Sequence, residues 1–541
     1  MHIIDLQDSR NRIPFRILCL HADAIGDDPY LLSDERSYSF NQGNAVVNAY
    51  AHGLRRLGLR AGERLMIYMH SCVEFVLLTL AANKLGAQWV PVNTDYRGDW
   101  LVETINASKG AVLATDANLL ERLRPVEHEL RYGRLLLRGP ADSAGEGFAR
   151  RGVMSFDELA DHSDAEPETK HIGYGDPAAV LWTSGTTGRP KGVIQSHNVW
   201  IRAAVNNDRL YGTRAGDVTY NCLPLYNSAA WVANIYRALS TGIPCALDEQ
   251  FSVSKFWDRI RHYGATQTMT LGAMHMFLWN EPRRADDADN PLRVASMVPM
   301  PQKLIAPFCE RFGMEAIVQG LGQSEVMPIL SKSETPAAQY KPNALGKLFE
   351  DMEVKLLRDD GEEAGPGEVG EFSIRPLAPH VIFSGYFDDP EATKKAYRGE
   401  WYCTGDLGMK DAEGDYFFVD RKKDYIRYKG RNISSLQVEG IAASHPAVKA
   451  AAVYGVASDT LESEHEIKLD VILKPGQQLR PEELARFINE RAPYFCVPRY
   501  IELVTELPYT PTQKLEKYKL RARGITASAW DRLESGFELQ R

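Results

Sequence analysis

The 541-residue sequence has few cysteines, seven in all, and they are scattered with no Cys-x-x-Cys pair. This spacing excludes the common zinc sites and disulfide frameworks, and it suits a reducing compartment. None of the seven stands in a pattern that indicates a catalytic nucleophile. The chemistry of this protein is therefore expected not to use a cysteine of its own.

Long apolar runs are also missing. The most apolar stretch, Phe75 to Val92, is interrupted by Asn83, Lys84 and Gln88. A membrane-spanning helix needs about 20 nearly uninterrupted apolar residues, so we predict a buried helix that leads into a strand. The N-terminus lacks a basic start followed by an apolar run, so we expect no secretory signal and a cytoplasmic protein.

A basic excess is missing as well. The chain carries 63 basic and 72 acidic residues, which gives a net charge of −9. A general nucleic-acid binder normally has a surplus of positive charge, so we expect no nucleic-acid partner.

The length and the residue patterns predict more than one domain. Helical and strand-like patterns alternate from about residue 40 to 410, which indicates α/β layers. Near residue 420 the pattern changes, and the remainder is long enough for a small α+β domain. The predicted fold class is therefore α/β, with a large multi-layer N-terminal domain of mixed sheets and a small C-terminal α+β domain.

The strongest motif runs from Leu181 to Val193 and reads Leu-Trp-Thr-Ser-Gly-Thr-Thr-Gly-Arg-Pro-Lys-Gly-Val. It follows an apolar strand pattern and combines hydroxyls, glycines and a cation, a set that can wrap a polyphosphate. It is not a Walker loop, because Pro190 stands where that pattern needs its second glycine. The candidate phosphate-binding residues are Thr183, Ser184, Gly185, Thr186, Thr187, Gly188 and Lys191.

Two further motifs carry acidic residues. The first is Gln-Gly-Leu-Gly-Gln-Ser-Glu, from Gln319 to Glu325, in which glycines allow close approach and a hard carboxylate suits Mg²⁺ bridged to phosphates. The second is Trp-Tyr-Cys-Thr-Gly-Asp, which ends at Asp406. A carboxylate is well suited to accept hydrogen bonds from two neighbouring hydroxyls.

These motifs together resemble the adenylate-forming superfamily, which includes acyl-CoA synthetases, nonribosomal adenylation domains and beetle luciferases. The resemblance extends from about residue 37 to 521, with the motifs in the family's order. It implies that a loop lies against adenine, that Glu325 helps to hold Mg²⁺ and that Asp406 binds the ribose hydroxyls. The implied ATP-binding set adds Gly320, Leu321, Gly322, Gln323, Ser324, Arg421 and Asn432 to the phosphate loop. Leu321 departs from the family, which usually has tyrosine there.

The resemblance also assigns roles near the C-terminus. It implies an N-terminal domain over residues 1–419, a hinge at 420–423 that contains Lys423, and a mobile lid domain over 424–541. Arg427, Lys429 and Gly430 would line the thiol channel. Lys514 would bridge the substrate carboxylate and the α-phosphate, with Thr186 and Glu325 as further catalytic residues. Gln513 replaces the glycine that usually precedes this lysine.

The acid substrate is less well defined by the sequence. Asn227, Trp231 and Met274 are candidates for the acyl pocket by resemblance, although Trp and Met at such positions are more often core residues. Asn227 stands where many acyl-CoA synthetases have histidine. The segment Ser-Met-Val-Pro-Met-Pro, residues 296–301, replaces the usual glycine-rich strand. The Asn227 region and the string Thr-Pro-Thr-Gln-Lys, residues 510–514, are most similar to the branch that holds fatty-acid and carnitine-type CoA ligases.

The resulting prediction is an ATP- and Mg²⁺-dependent ligase that joins a carboxylic acid to coenzyme A through an acyl-adenylate. The acid would be fatty, carnitine-like or bulky alicyclic. Two alternatives are a stand-alone adenylation enzyme that loads a carrier protein and a nucleotide-binding scaffold without turnover. The sequence leaves the oligomeric state open, with a homodimer as one form.

Overall fold

The computed structural model describes the chain except for residues 1–3, 169–170, 184–189, 338–339, 359, 422–424, 429–430, 459–464, 509–514, 516 and 541. The described residues divide into two compact units. The larger contains residues up to Thr94, Ile105–Trp182 and Gly192–Asp420, and the smaller contains Asp95–Thr104, the ends of the 183–191 segment and the residues from Arg421 onward. An α/β fold with a large N-terminal part and a smaller C-terminal part is confirmed. The predicted boundaries at 419 and 424 stay predictions.

The strands of the larger unit are β1 (Pro29–Leu32), β2 (Tyr38–Ser39), β3 (Arg64–Tyr68), β4 (Gln88–Pro91), β5 (Val112–Asp116), β6 (Arg134–Arg138), β7 (Val153–Ser155), β8 (Pro177–Thr183), β9 (Lys191–Ser196), β10 (Thr219–Asn221), β11 (Cys245–Leu247), β12 (Gln267–Leu271), β13 (Val294–Val298), β14 (Ala316–Gln323), β15 (Met327–Glu334), β16 (Lys347–Leu348), β17 (Met352–Leu357), β18 (Val369–Pro376), β19 (Tyr397–Arg398), β20 (Trp401–Lys410) and β21 (Tyr416–Arg421). Those of the smaller unit are β22 (Tyr425–Tyr428), β23 (Arg431–Ser434), β24 (Val448–Ala457), β25 (His465–Leu473), β26 (Tyr500–Leu503) and β27 (Trp530–Asp531).

The α-helices are α1 (Pro14–Ile25), α2 (Phe40–Leu57), α3 (Val73–Lys84), α4 (Gly98–Ser108), α5 (Leu120–Leu123), α6 (Gly145–Ala149), α7 (Phe156–Ala160), α8 (His197–Tyr211), α9 (Ser228–Ala230), α10 (Tyr236–Thr241), α11 (Phe256–Tyr263), α12 (Ala273–Asn280), α13 (Gln302–Phe312), α14 (Pro390–Lys395), α15 (Ser435–Ser444), α16 (Pro481–Arg491) and α17 (Lys517–Arg523). Short 3₁₀ helices span Ser9–Asn11, Ala117–Leu119, Arg124–Glu129, Ala141–Ala144 and Tyr494–Cys496, and a π-helical turn spans Trp231–Ile235.

A seven-stranded sheet in the order β7-β6-β5-β3-β4-β8-β9 holds the phosphate-loop motif between β8 and β9. The pairs from β7 to β8 are parallel. The apolar stretch from Phe75 forms α3, which is buried at every position except Glu74 and leads into β4. The buried helix and strand predicted there are confirmed. Within the described residues, no helix is long and apolar enough to span a membrane.

A nine-stranded sheet in the order β16-β15-β14-β13-β12-β10-β11-β1-β2 holds the glycine-rich motif. Its central strands β14, β13, β12, β10 and β11 run parallel to one another, whereas β15 runs antiparallel to β14. A five-stranded sheet of β17, β18, β19, β20 and β21 carries the Asp406 motif on β20. The largest apolar core packs elements of all three sheets together.

The smaller unit has a four-stranded sheet in the order β24-β25-β26-β27 and a two-stranded hairpin of β22 and β23. Its own core is built from apolar residues of this sheet and hairpin and of α15 and α16. Helix α16 begins at Pro481, which suits the first turn of a helix because its missing N–H would have no partner there. A separate core of this kind is what an independently folding domain requires.

Candidate functional site

The parallel part of the nine-stranded sheet explains why distant motifs lie near one another. Strands β10, β12 and β14 run in the same direction in one sheet, and each is followed by a predicted site segment. Asn227 follows β10, Met274 follows β12, and Glu325 follows β14. In open α/β sheets, ligands bind at the carboxyl edge of the strands. The topology thus supports an acyl pocket and a nucleotide loop on one sheet edge.

The glycines of the predicted adenine loop are needed for the hairpin itself. A Cβ on Gly320 would lie 2.4 Å from the Leu330 carbonyl oxygen, and a Cβ on Gly322 would lie 2.5 Å from that of Met327. Strands β14 and β15 therefore approach closely only because both positions are glycine. Leu321 lies between these two glycines, is partly buried and packs against the largest apolar core.

The structure brings the glycine-rich motif and the Thr-Gly-Asp motif together. The Gln323 amide nitrogen donates to the Thr404 carbonyl oxygen at 3.3 Å. Asp406 is 3% exposed, and its backbone N–H donates to the Thr404 hydroxyl at 3.1 Å. Gly405 adopts φ +75° and donates its N–H to the buried Glu371 carboxylate at 2.9 Å. Two motifs about 80 residues apart are thus in direct contact.

Glu325 is held through both its backbone and its side chain. Its carbonyl oxygen accepts from the Phe383 N–H at 2.7 Å, and its Oε1 accepts from the Tyr386 hydroxyl at 3.0 Å. Burial, together with the charge of Glu325, raises the pKa of the Tyr386 phenol, so this phenol stays a donor. The Gln195 amide nitrogen on β9 donates to the carbonyl oxygen of the adjacent Ser324.

The phosphate loop is described only at its two ends. Thr183 ends β8 and Lys191 begins β9, and the Thr183 hydroxyl donates to the Lys191 carbonyl oxygen at 3.4 Å. Ser184, Gly185, Thr186, Thr187 and Gly188 lie outside the described residues. Their assignment to phosphate binding stays a prediction.

The acyl-pocket candidates differ in their surroundings. Asn227 caps α9, because its Oδ1 accepts from the Ala229 N–H at 3.0 Å. Met274 is partly buried on α12, and its sulfur accepts from the Leu271 N–H at 3.4 Å. A role for both residues in the pocket stays a prediction.

Trp231 is a fully buried core residue in this structure. Its ring centroid lies 4.5 Å from that of Trp89 and 5.1 Å from that of Tyr236, and its Nε1 donates to the Leu225 carbonyl oxygen at 2.8 Å. Rings this close pack directly against one another. A contact between Trp231 and an acyl group therefore stays a prediction, whereas its packing role is visible.

A buried polar network that the sequence did not indicate lies next to the predicted adenine loop. The Lys332 ammonium lies 2.6 Å from the Glu334 carboxylate, with side chains 3% and 2% exposed. The Gln319 side chain joins this pair to another segment: its Nε2 donates to Glu334 Oε2 at 2.7 Å, and its Oε1 accepts from the Met300 N–H at 3.0 Å. The only sequence signal was a Lys-x-Glu pair at strand spacing within β15. The network joins β14 and β15 to the segment that follows β13.

In the smaller unit, the strand residues of the predicted thiol channel lie in one hairpin. Arg427 on β22 is paired with Asn432 on β23, and Arg421 ends β21. Lys423, Lys429, Gly430 and Lys514 lie outside the described residues. Three residues beyond Lys514, Lys517 on α17 is anchored to α15 through Ser435 Oγ at 2.6 Å and Glu439 Oε1 at 2.8 Å.

The donor set around Glu325 fits a magnesium ion that is held mainly by substrate. Mg²⁺ is commonly bound by one or two carboxylates together with the phosphates of a nucleotide. Glu325 would supply one hard oxygen ligand of this kind. The described residues contain no cluster of three or more His, Cys, Asp or Glu side chains that could hold a metal.

Comparison with known proteins gives matches to two family models and to characterised ligases. A family model described as AMP-binding enzyme matches residues 20–387, and one described as AMP-binding enzyme C-terminal domain matches residues 437–514. The crotonobetaine/carnitine–CoA ligase of Escherichia coli is 29% identical over 517 residues, which cover 92% of this chain and 97% of that protein.

Solved structures show the same fold. An o-succinylbenzoate CoA synthetase double mutant from Bacillus subtilis, bound to a product analogue, has a TM-score of 0.80 at 24% identity, covering 94% of this chain and 98% of that one. The amide bond synthetase McbA from Marinactinospora thermotolerans has the same TM-score and identity, with 94% and 99% covered. With the family model matching well over half of the sequence, this chain belongs to the AMP-binding enzyme family.

Proposed function

We propose that the protein is an AMP-forming acid–CoA ligase, with ATP, coenzyme A and a carboxylic acid as substrates. The observation that carries the proposal is the pairing of Gln323 with Thr404, which places the Glu325 and Asp406 motifs side by side in a chain of the AMP-binding family. A cytoplasmic location is part of the same proposal.

In the first step, the substrate carboxylate attacks the α-phosphorus of ATP and pyrophosphate leaves. A carboxylate is a poor acyl donor because its leaving group would be oxide, whereas the acyl-AMP that forms has a good leaving group. Negative charge builds up on the phosphoryl oxygens, and we assign Lys514 and Thr186 to its stabilisation. Asp406 would hold the ribose, and Glu325 would hold the Mg²⁺ that neutralises the phosphates.

In the second step, a thiol attacks the acyl carbon and AMP leaves. Burial raises the pKa of six of the chain's own thiols, those of Cys19, Cys72, Cys222, Cys245, Cys309 and Cys496. A thiol with a raised pKa is a poor nucleophile at neutral pH, because the thiolate is the reactive form. For these six, that disfavours a role as the attacking group. By the family resemblance we assign the attacking thiol to coenzyme A, with Arg427, Lys429 and Gly430 along its channel.

We propose a fatty, carnitine-like or bulky alicyclic acid as substrate. The similarity to a crotonobetaine/carnitine–CoA ligase supports this range. The apolar candidates Met274 and Trp231 are consistent with an acid whose body is bulky.

The test is AMP formation with ATP, Mg²⁺ and coenzyme A across a panel of fatty, aromatic, steroidal and betaine-type acids. Turnover that needs one acid class and free coenzyme A supports the ligase and names the class. The Glu325→Gln variant is the control for background hydrolysis. Acid-dependent pyrophosphate release without coenzyme A-dependent turnover would favour a carrier-protein acceptor. Binding of ATP without turnover of any acid would favour a scaffold.

A further inference from the structure

The segment Phe383–Phe387 connects the strand that follows the phosphate loop to Glu325. On one side, the Ile194 N–H on β9 donates to the Gly385 carbonyl oxygen at 3.0 Å, and the Ile194 carbonyl oxygen accepts from the Ser384 N–H at 2.9 Å. On the other side, the Phe383 N–H donates to the Glu325 carbonyl oxygen at 2.7 Å. This segment therefore fixes β9 and the Glu325 turn relative to each other.

Tyr386 in the middle of this segment is itself held in place. Its backbone N–H donates to the Thr393 hydroxyl at 2.8 Å, and its ring centroid lies 5.1 Å from that of Phe383. The residue is 7% exposed, and its hydroxyl donates to Glu325 Oε1 at 3.0 Å. The phenol thus reaches the carboxylate from a rigid support.

We propose that Tyr386 is a positioning residue for the Glu325 carboxylate, the candidate metal ligand. This inference rests on the proposed function. A hydrogen bond on one carboxylate oxygen fixes the plane of the group and so the direction in which it meets a cation. Mg²⁺ demands near-ideal octahedral geometry, so a freely turning carboxylate is a poorer ligand. Loss of such supporting groups typically weakens metal binding by about 10–100-fold.

The Tyr386→Phe substitution removes the hydroxyl and keeps the ring. We would measure Mn²⁺ binding by electron paramagnetic resonance in the presence of α,β-methylene-ATP, with no acid present. The expected result is a Mn²⁺ dissociation constant raised by about 10-fold or more. In turnover, the Mg²⁺ concentration for half-maximal rate should rise by a similar factor, while the KM of the acid stays unchanged.

The matched control is Tyr397→Phe. Tyr397 belongs to the same aromatic cluster, with its ring centroid 6.4 Å from that of Phe383, and it should leave Mn²⁺ affinity unchanged. An equal loss in both variants would assign the effect to packing and overturn the proposal. Unchanged Mn²⁺ affinity in Tyr386→Phe would overturn it as well.

A second variant covers the case in which Tyr386→Phe does not fold. Thr393→Val removes the acceptor of the Tyr386 N–H and should weaken Mn²⁺ binding in the same direction but less. Wild-type affinity in a folded Thr393→Val variant would then overturn the proposal. If the wild-type protein itself does not bind Mn²⁺ with the nucleotide analogue, the proposed function fails instead.

Discussion

Arg202 on α8 and Asp351, just before β17, form an ion pair with two hydrogen bonds. Nε donates to Oδ2 at 2.6 Å, and Nη2 donates to Oδ1 at 2.7 Å. The same guanidinium donates through Nη1 to the carbonyl oxygens of Val326 at 3.3 Å and Pro328 at 3.2 Å. Val326 and Pro328 come soon after Glu325 in the sequence. The buried Arg202 therefore connects α8 and the start of β17 to the turn that carries the candidate metal ligand.

Replacement of Arg202 by methionine should destabilise the larger unit by about 3 kcal/mol, because the Asp351 carboxylate loses its charged partner and two carbonyl oxygens lose this donor. Urea unfolding would measure the loss. The matched control is Arg214→Met, which breaks the exposed pair with Glu315 and should cost no more than about 1 kcal/mol. Equal losses in the two variants would contradict the assignment.

The Arg202–Asp351 pair also predicts how stability depends on pH. Burial alone would raise the pKa of Asp351, but the hydrogen bonds and charge of Arg202 outweigh it and lower the pKa below its usual value of 3.8. The pair therefore contributes its full stabilisation above the usual pKa of 3.8. This stabilisation is lost as the pH falls through the lowered pKa of Asp351 in the folded state.

The measurement is the difference in unfolding free energy between the wild type and Asp351→Asn. It should stay constant from about pH 7 to pH 5 and shrink below about pH 4, because protonation then removes the same charge from the wild type. A difference that shrinks near pH 6, or that persists unchanged under acid conditions, would contradict this interpretation.

Loss of one charge from the Lys332–Glu334 pair, next to the predicted adenine loop, should destabilise the fold more than loss of both charges. Glu334→Gln leaves a buried ammonium without its counter-charge and should cost about 3–5 kcal/mol in urea unfolding. The double variant Lys332→Met/Glu334→Gln removes both charges and should recover part of that loss. The control Glu363→Gln breaks an exposed pair with Lys355 and should have little effect. A double variant less stable than Glu334→Gln would disprove the charge argument.

The assigned role of Lys514 predicts that the two half-reactions can be separated. Lys514→Ala should slow adenylation by about 10²–10³-fold, because a fixed cation at the developing charge is lost. Thioester formation from supplied acyl-AMP should be largely retained. Lys449→Ala, at an exposed position on β24, is the control and should affect neither step. Equal loss of both half-reactions would count against the assignment.

Local features of the fold were predictable from the sequence. The apolar residues from Asn41 to Leu57 recur at helical spacing and are followed by Gly58, and this segment is α2, which begins at Phe40 with a capping box between Ser39 and Gln42. Gly58 ends it with φ +106°. Apolar periodicity, caps and left-handed glycines act within a few residues, so they are visible in the sequence.

The motifs themselves, and the family and chemistry that they imply, were also determined by the sequence. Their spatial relationships were not. Gln323 and Thr404 lie about 80 positions apart, and Tyr386 lies about 60 positions beyond the Glu325 that it contacts. No periodicity in the sequence links such pairs, because the pattern of each segment reflects only interactions within a few residues.

The tertiary structure alone decided which buried polar groups pair. Glu325, Glu334 and Asp351 are acidic residues of ordinary appearance in the sequence, yet each has a specific donor in the folded chain. A buried carboxylate must find such a donor because its desolvation is costly, but many donors could serve. The sequence determined that these groups exist and where the chain turns, while the packing of sheets and helices determined which distant donor reaches each of them.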